Sequence, residues 1–156
     1  MVYLLDTNTL ADYWRYGETR ILGQRLADIP DPQQNRRISV ITFEEMIGGR
    51  ALDLRRDPRN VPHLEPLYVR YHWLTETFDK LNEYYPPLPF DRSVQPIFER
   101  IPKAIRNNTR VNDCKIAAIA VHNDCTVISA NVKDFSRIKT ALTTLRFEDW
   151  TIVNPI

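Results

Sequence analysis

Val2-Tyr3-Leu4-Leu5-Asp6-Thr7-Asn8-Thr9 is the stretch on which the rest of the chain can be ordered. Four apolar residues without polar alternation are what a strand covered on both faces requires, as in a parallel sheet. The run stops at an acid followed by Thr-Asn-Thr, whose short oxygens favour turns and helix starts. The segment therefore predicts a buried strand feeding a helix, with Asp6 at the strand's carboxyl end.

The same rhythm recurs downstream. Thr9 to Ala27 carries apolar residues at helical intervals, interrupted near Gly17 and ended by Pro30 and Pro32. Ile38-Ser39-Val40-Ile41 reads as a second buried strand, and Thr42 opens a helix to about Arg55, limited by Asp57-Pro58. A connection with Pro58, Pro62 and Pro66 leads into a longer helix from Leu67 to about Tyr84. Pro86 to Phe90 is extended, Ser93 starts a helix running into Ile101, and Arg106 to Thr109 reads as a loop. Val111 to Val121 is a strongly apolar helix, Cys125 to Ser129 a further strand, and Thr151-Ile152-Val153 a final one.

Strands alternating with helices predict an α/β three-layer sandwich, a mainly parallel central sheet flanked by helices, in a single domain over residues 1–156. In such sheets, sites form outside the carboxyl ends of the strands. Asp6 lies at such an end, Glu45 just beyond another, and Asn131 and Asp134 after a third, while Asp113 opens a helix.

Composition narrows the options. A chain of 156 residues, 43% apolar, can bury one core without staples. Lys+Arg of 21 against Asp+Glu of 20 leaves a net charge of +1, so no global field points to nucleic acid or membrane. Two cysteines, Cys114 and Cys125, are too few for a disulfide framework, and no Cys/His cluster has zinc-ligand spacing. Cys114 reads as a small core residue. With no signal segment and no membrane-length apolar run, a cytoplasmic setting is the expectation. Four glycines provide no phosphate-cradling loop.

Several carboxylates in one cleft repel one another and cannot all stay ionised without a cation. A hard divalent ion, Mg²⁺ or Mn²⁺, suits oxygen ligands, activates a water and neutralises charge on a phosphodiester. Each acid also has a structural explanation. Asp6 would serve as a helix cap, and Thr42-x-x-Glu45 as a capping box with Glu44 a competing neighbour. Asp113 would favour the helix dipole, and Asn131-x-x-Asp134 has the look of a helix start. His63, His72 and His122 have no evident acid or nucleophile partners in the sequence.

In combination these blocks resemble the PIN-domain nucleases, in particular the VapC-like toxins of toxin–antitoxin pairs. The carrying residues are Leu4-Leu5-Asp6-Thr7-Asn8, Ile38 to Gly48 with Glu45, Asn112-Asp113 leading Ile116-Ala117-Ala118-Ile119-Ala120, and Thr126 to Phe135. Phe147-Glu148-Asp149-Trp150 is similar to the family's tail, and the middle from about Asp57 to Asn107 is less familiar. The resemblance implies an endoribonuclease that cuts single-stranded RNA with metal-activated water, a homodimer, and a cognate antitoxin. It places catalysis on Asp6, Glu45, Asp113 and Asn131, and the Mg²⁺ or Mn²⁺ on Asp6, Glu45, Asp113 and Asp134. Thr7, Asn8 and Thr42 would orient the acids by hydrogen bonds. Asn131 departs from the Asp of many PIN nucleases and adds no charge; Asp134, one turn on, is placed to supply it.

Positive charge for an RNA backbone would come from Arg50, Arg55 and Arg56, or from Lys103, Arg106 and Arg110. Tyr13 and Trp14 could stack bases, or serve as core or dimer contacts. Two other readings stand beside this one. A PIN-like binding module draws on Asn131, and an aspartyl-nucleophile phosphatase would want an acid where Asn8 stands.

Overall fold

The structure is a computed structural model and describes residues 1–152. Five strands form one all-parallel sheet: β1 (Tyr3–Leu5), β2 (Arg36–Ser39), β3 (Pro87–Leu88), β4 (Thr126–Ile128) and β5 (Arg146–Glu148), in the order β3-β2-β1-β4-β5. The first strand is therefore central, flanked by β2 on one side and β4 on the other. The chain builds outward from β1 in one direction and then in the other, so the order reverses at β1. A crevice opens at such a reversal.

The period of two along β1 divides the core. Leu4 packs with Val127, Phe135, Ile138 and the buried face of α8 (Val111–His122), while Leu5 packs with Leu10, Leu26, Ile38, Leu81 and Ile128 on the opposite side. Both leucines are wholly buried, each contributing on the order of 1.5–3 kcal/mol. One layer holds α6 (Gln95–Glu99), α8 and α9 (Val132–Lys139); the other holds α1 (Thr7–Tyr16), α2 (Ile21–Ala27) and α5 (Leu67–Tyr84). The three-layer sandwich agrees with the expectation, and its sheet is wholly parallel.

Gly17 ends α1 with φ of 53°, and its carbonyl oxygen lies 1.8 Å from where a Cβ on Gly23 would stand. A side chain at Gly23 would push α2 off α1, so this corner fixes how α1 lies on the sheet.

Three expectations are corrected. β2 stops at Ser39, and α4 (Val40–Leu54) starts at Val40, because Ser39 Oγ accepts the Thr42 amide at 3.0 Å. The apolar run Ile38 to Ile41 thus joins a strand end to a buried first helical turn. Its interior serine was the signal. With Ser39 as the cap, Thr42-x-x-Glu45 forms no capping box. Arg106 to Thr109 is mostly helix, the end of α7 (Lys103–Asn108), entered through Pro102. The last strand is Arg146–Glu148, an edge strand whose single apolar residue, Phe147, gives a weak pattern. Thr151 and Ile152 form a bend, and Val153 lies outside the described residues.

Candidate metal centre

The sheet's carboxyl edge is pinned by the ends of β1 and β4. The Asp6 amide donates to Ile128 O at 3.2 Å, and Thr9 Oγ1 donates to the same carbonyl at 2.9 Å. Asp6 is buried and caps α1, its Oδ1 accepting the Thr9 amide at 2.7 Å while Oδ2 accepts from Ser129 Oγ. Capping and site membership thus coincide in one carboxylate.

Beyond it lies a recess of about 190 Å³ lined by Asp6, Thr7, Asn8, Glu45, Arg110, Asp113 and Ile116. Glu45 comes from the second turn of α4 and is held from two directions, by Thr7 Oγ1 and by Asn112 Nδ2 at 2.7 Å. Glu44 is solvent-exposed and is not among the lining residues. Asp113, in the first turn of α8, accepts from Asn131 Nδ2 at 2.7 Å. The same amide nitrogen donates to Asp134 Oδ2 at 3.0 Å. Asn131 is the N-cap of α9 by position, yet its side chain caps nothing and instead stands between two carboxylates.

The acids sense one another. Burial pushes the Asp113 carboxyl up from an ordinary 3.8 to about 6, the charges of Asp6 and Asp134 add to this, and the Asn131 hydrogen bond opposes it. Asp6 is also raised, by burial first and by Glu45 in smaller part, against hydrogen bonds from Ser129 and Thr9. Placed together and deprived of water, these groups resist full ionisation.

Hard oxygen donors of this kind fit a divalent cation by chemistry. Their present rotamers do not form a finished cage. Among the described residues no three His, Cys, Asp or Glu side chains are close enough to hold one ion together. Glu45 is turned onto its neutral partners, and an amide occupies the gap between Asp113 and Asp134.

No family model matches the chain. Ribonuclease VapC1 of Haemophilus influenzae strain R2866 is 27% identical over 154 residues, covering 97% of this chain and 99% of that protein. Among solved structures, VapBC-1 from nontypeable Haemophilus influenzae superposes with a TM-score of 0.69 at 22% identity, over 97% of this chain and 100% of the other. The DNA-bound VapBC of Salmonella typhimurium gives 0.66 at 19% identity, over 96% and 98%. The chain is thus similar over nearly its whole length to a VapC ribonuclease, and it shares the fold of the VapBC toxin–antitoxin structures.

The recess does not gather every residue that the sequence suggested. Thr42 is fully buried and hydrogen-bonds Ser39 and Leu5, not an acid; its hydroxyl donates to Leu5 O at 3.3 Å and ties α4 to the end of β1. Asn8 lines the recess. Of the six basic candidates only Arg110 does so. Arg50 donates to Thr77 Oγ1 at 3.3 Å and lies over Trp73, Arg56 pairs with Asp53 at 3.2 Å, and Arg106 packs over Phe98. Arg55 and Lys103 are exposed elsewhere. Tyr13 and Trp14 line a different recess altogether. His122, for which the sequence suggested no partner, lies with Nε2 3.2 Å from Ser93 Oγ, which donates to Asp91, and it does not line the recess.

Sequence reasoning missed Ser129 and Asn112. Ser129 Oγ donates to Asp6 and accepts the Asn131 amide at 3.0 Å, joining the β1 and β4 ends. Its signal was a polar residue closing an apolar strand. Asn112 precedes Asp113 by one residue and so faces a different part of the recess, toward Glu45.

Proposed function

We propose that this chain is a metal-dependent endoribonuclease cutting single-stranded RNA, the toxin of a toxin–antitoxin pair. The observation that supports it best is the meeting of Asp6, Glu45 and Asp113 in one polar recess at the carboxyl edge of a parallel sheet. The whole-length similarity to a protein named ribonuclease VapC1 supports it independently.

On this reading Asp6, Glu45, Asp113 and Asp134 hold Mg²⁺ or Mn²⁺, and Asn131 completes the catalytic set. The ion, when bound, supplies an activated water and charge neutralisation at the phosphodiester. The chain's own groups do the positioning. Ser129 and the Thr9 amide fix the Asp6 carboxylate, Thr7 and Asn112 aim Glu45, and Asn131 keeps Asp113 and Asp134 apart. Arg110 at the rim meets a backbone phosphate. A cognate antitoxin, a homodimer, a cytoplasmic setting and a single PIN domain over residues 1–156 belong to the same proposal. Among the described residues no helix is long and apolar enough to cross a membrane.

The test is an RNA pool incubated with purified protein in Mg²⁺ or in EDTA, beside Asp6→Asn. Cleavage is expected only for the wild type with Mg²⁺, and Asp6→Asn should keep or slightly gain thermal stability because one repelling charge is gone. Full cleavage by Asp6→Asn would remove that residue from the site.

The second reading, a PIN-like binding module, is favoured by the carboxylates' unfinished spacing. Calorimetric titration with Mn²⁺ separates the two. A catalytic centre takes up the ion and loses it with Asp6→Asn; a binding module is indifferent to both.

A further inference from the structure

At the sheet's opposite edge a second recess, of about 310 Å³, is lined by Tyr13, Trp14, Arg36, Lys80, Tyr84 and Tyr85. Arg36 opens β2 and pairs in register with Tyr3, the first residue of β1, whereas Asp6 follows the last. The two recesses therefore stand at opposite ends of the strands, about 10 Å apart along them.

The electrostatics here are the reverse of those at the acidic site. Arg36 is half-buried, and its guanidinium lies 6.0 Å from the Tyr13 ring centre and 5.9 Å from that of Tyr85. Its Nε is shut off from solvent with no hydrogen-bond partner, and among the described residues the side chain enters no ion pair. Ring faces favour an arginine's charge but accept none of its in-plane N–H donors, so the Nε donor is left unsatisfied. A partly buried cation with one donor cut off from both water and acceptor gains when an anion arrives. Lys80 brings a second positive charge, 5.9 Å from the Trp14 ring centre. Glu76 pairs with Lys80 at 2.8 Å and offsets part of that charge, which leaves Arg36 as the principal cation of the recess. Trp14 and Tyr85 pack on each other at 6.3 Å, whereas Tyr84 is 46% exposed and has no ring partner among the described residues.

We propose that this recess binds a nucleotide, Arg36 and Lys80 taking the phosphate and Tyr84 the base. A planar guanidinium matches phosphate oxygens two at a time. An exposed ring with a free face stacks any base. The volume sits at the small end of ligand pockets and suits one nucleotide. A free nucleoside monophosphate and a nucleotide of an RNA strand share this chemistry. The strand as source rests on the proposed nuclease function; binding itself does not.

The experiment follows Trp14 fluorescence in EDTA, with Trp14→Phe identifying the reporter. The probes are AMP, adenosine, inorganic phosphate, a 5′-phosphorylated oligoadenylate and an acidic peptide. AMP is expected to change the signal saturably, more tightly than adenosine or phosphate alone. Arg36→Gln should weaken AMP about tenfold or more, and Arg36→Lys, which keeps charge but not the fork, by less. If Arg36→Gln melts out, Arg36→Lys and Lys80→Gln carry the comparison. Asp6→Asn should bind AMP as the wild type does, which keeps this result separate from the fate of the nuclease reading. A tighter oligonucleotide assigns the strand as source, and equal affinity assigns the free nucleotide. AMP binding that ignores Arg36, no AMP binding at all, or binding of the acidic peptide in its place would overturn the proposal.

Discussion

The two edges of one sheet carry opposite electrostatic problems. At the carboxyl edge, acids from four separate segments crowd together, and burial with the neighbouring charges raises the proton affinity of Asp6 and Asp113. At the amino edge, a guanidinium sits near two aromatic rings with its Nε buried and without an acceptor. Each arrangement costs stability and is kept where a ligand of opposite charge would relieve it. The carboxyl edge is held by hydrogen bonds between side chains, the amino edge by ring packing. Substitutions at the first should therefore disturb geometry, and at the second, affinity.

The largest effect expected at the acidic edge concerns register. Glu45→Gln should reduce RNA cleavage by more than the roughly 10–100-fold that follows loss of an outer hydrogen-bond partner, while Glu44→Gln should stay within about twofold. Single-turnover cleavage of a labelled RNA measures both. The reverse order would shift the reading of α4 by one residue and undo the description of the recess.

Next in size is the support of Glu45. Asn112→Ala removes its 2.7 Å donor without touching a charge, and cleavage should fall roughly 10-fold with little change in melting temperature. Unchanged cleavage would mean that Thr7 alone suffices and that Asn112 only fills space.

These residues also mark how far the sequence could be read. Asp6, Glu45 and Asp113 were visible because each has a local signature: an acid ending a four-residue apolar run, an acid early in a helix after a strand, an acid leading an apolar helix. The bounds of α5, Leu67–Tyr84, were legible for the same reason, with Pro66 before it and Pro86 after. What could not be read depends on strand order. Ser129 reaches Asp6 only because β4 lies beside β1, and Arg110 alone lines the recess because α8 starts there. The recess holding Arg36 was invisible altogether. It needs the end of α5 to fold back onto α1 and β2, residues 36 and 80 that no spacing rule connects.

A smaller effect tests the amide at 131. Asn131→Asp replaces a donor to two carboxylates with a third negative charge between them. In EDTA the variant should lose about 1–3 kcal/mol of stability, and Mn²⁺ should restore more of it than it adds to the wild type. Chemical denaturation with and without Mn²⁺ gives both numbers. A variant as stable as the wild type in EDTA would show that the charges near Asp113 are already screened, and the contrast between the edges would shrink.

The smallest effect is the pH dependence at Asp113, and its sign follows from the direction of the shift. Folding raises this carboxyl from 3.8 to about 6, so the fold favours the protonated form. Its contribution to stability is complete below pH 3.8 and disappears as pH rises through about 6. In EDTA the wild type should therefore lose stability relative to Asp113→Asn between these limits, by about 1–2 kcal/mol once solvent screening at the recess is allowed for. Asp57, Glu76 and Asp91 are shifted downward and act in the opposite sense, but they are common to both proteins and cancel in the difference. Saturating Mg²⁺ should flatten the difference from above, because an ion held by the ionised acids favours the form that the bare fold resists. Parallel pH profiles for the two proteins in EDTA would mean that Asp113 is hydrated and ordinary, and the acidic edge would then hold no stored repulsion for a cation to relieve.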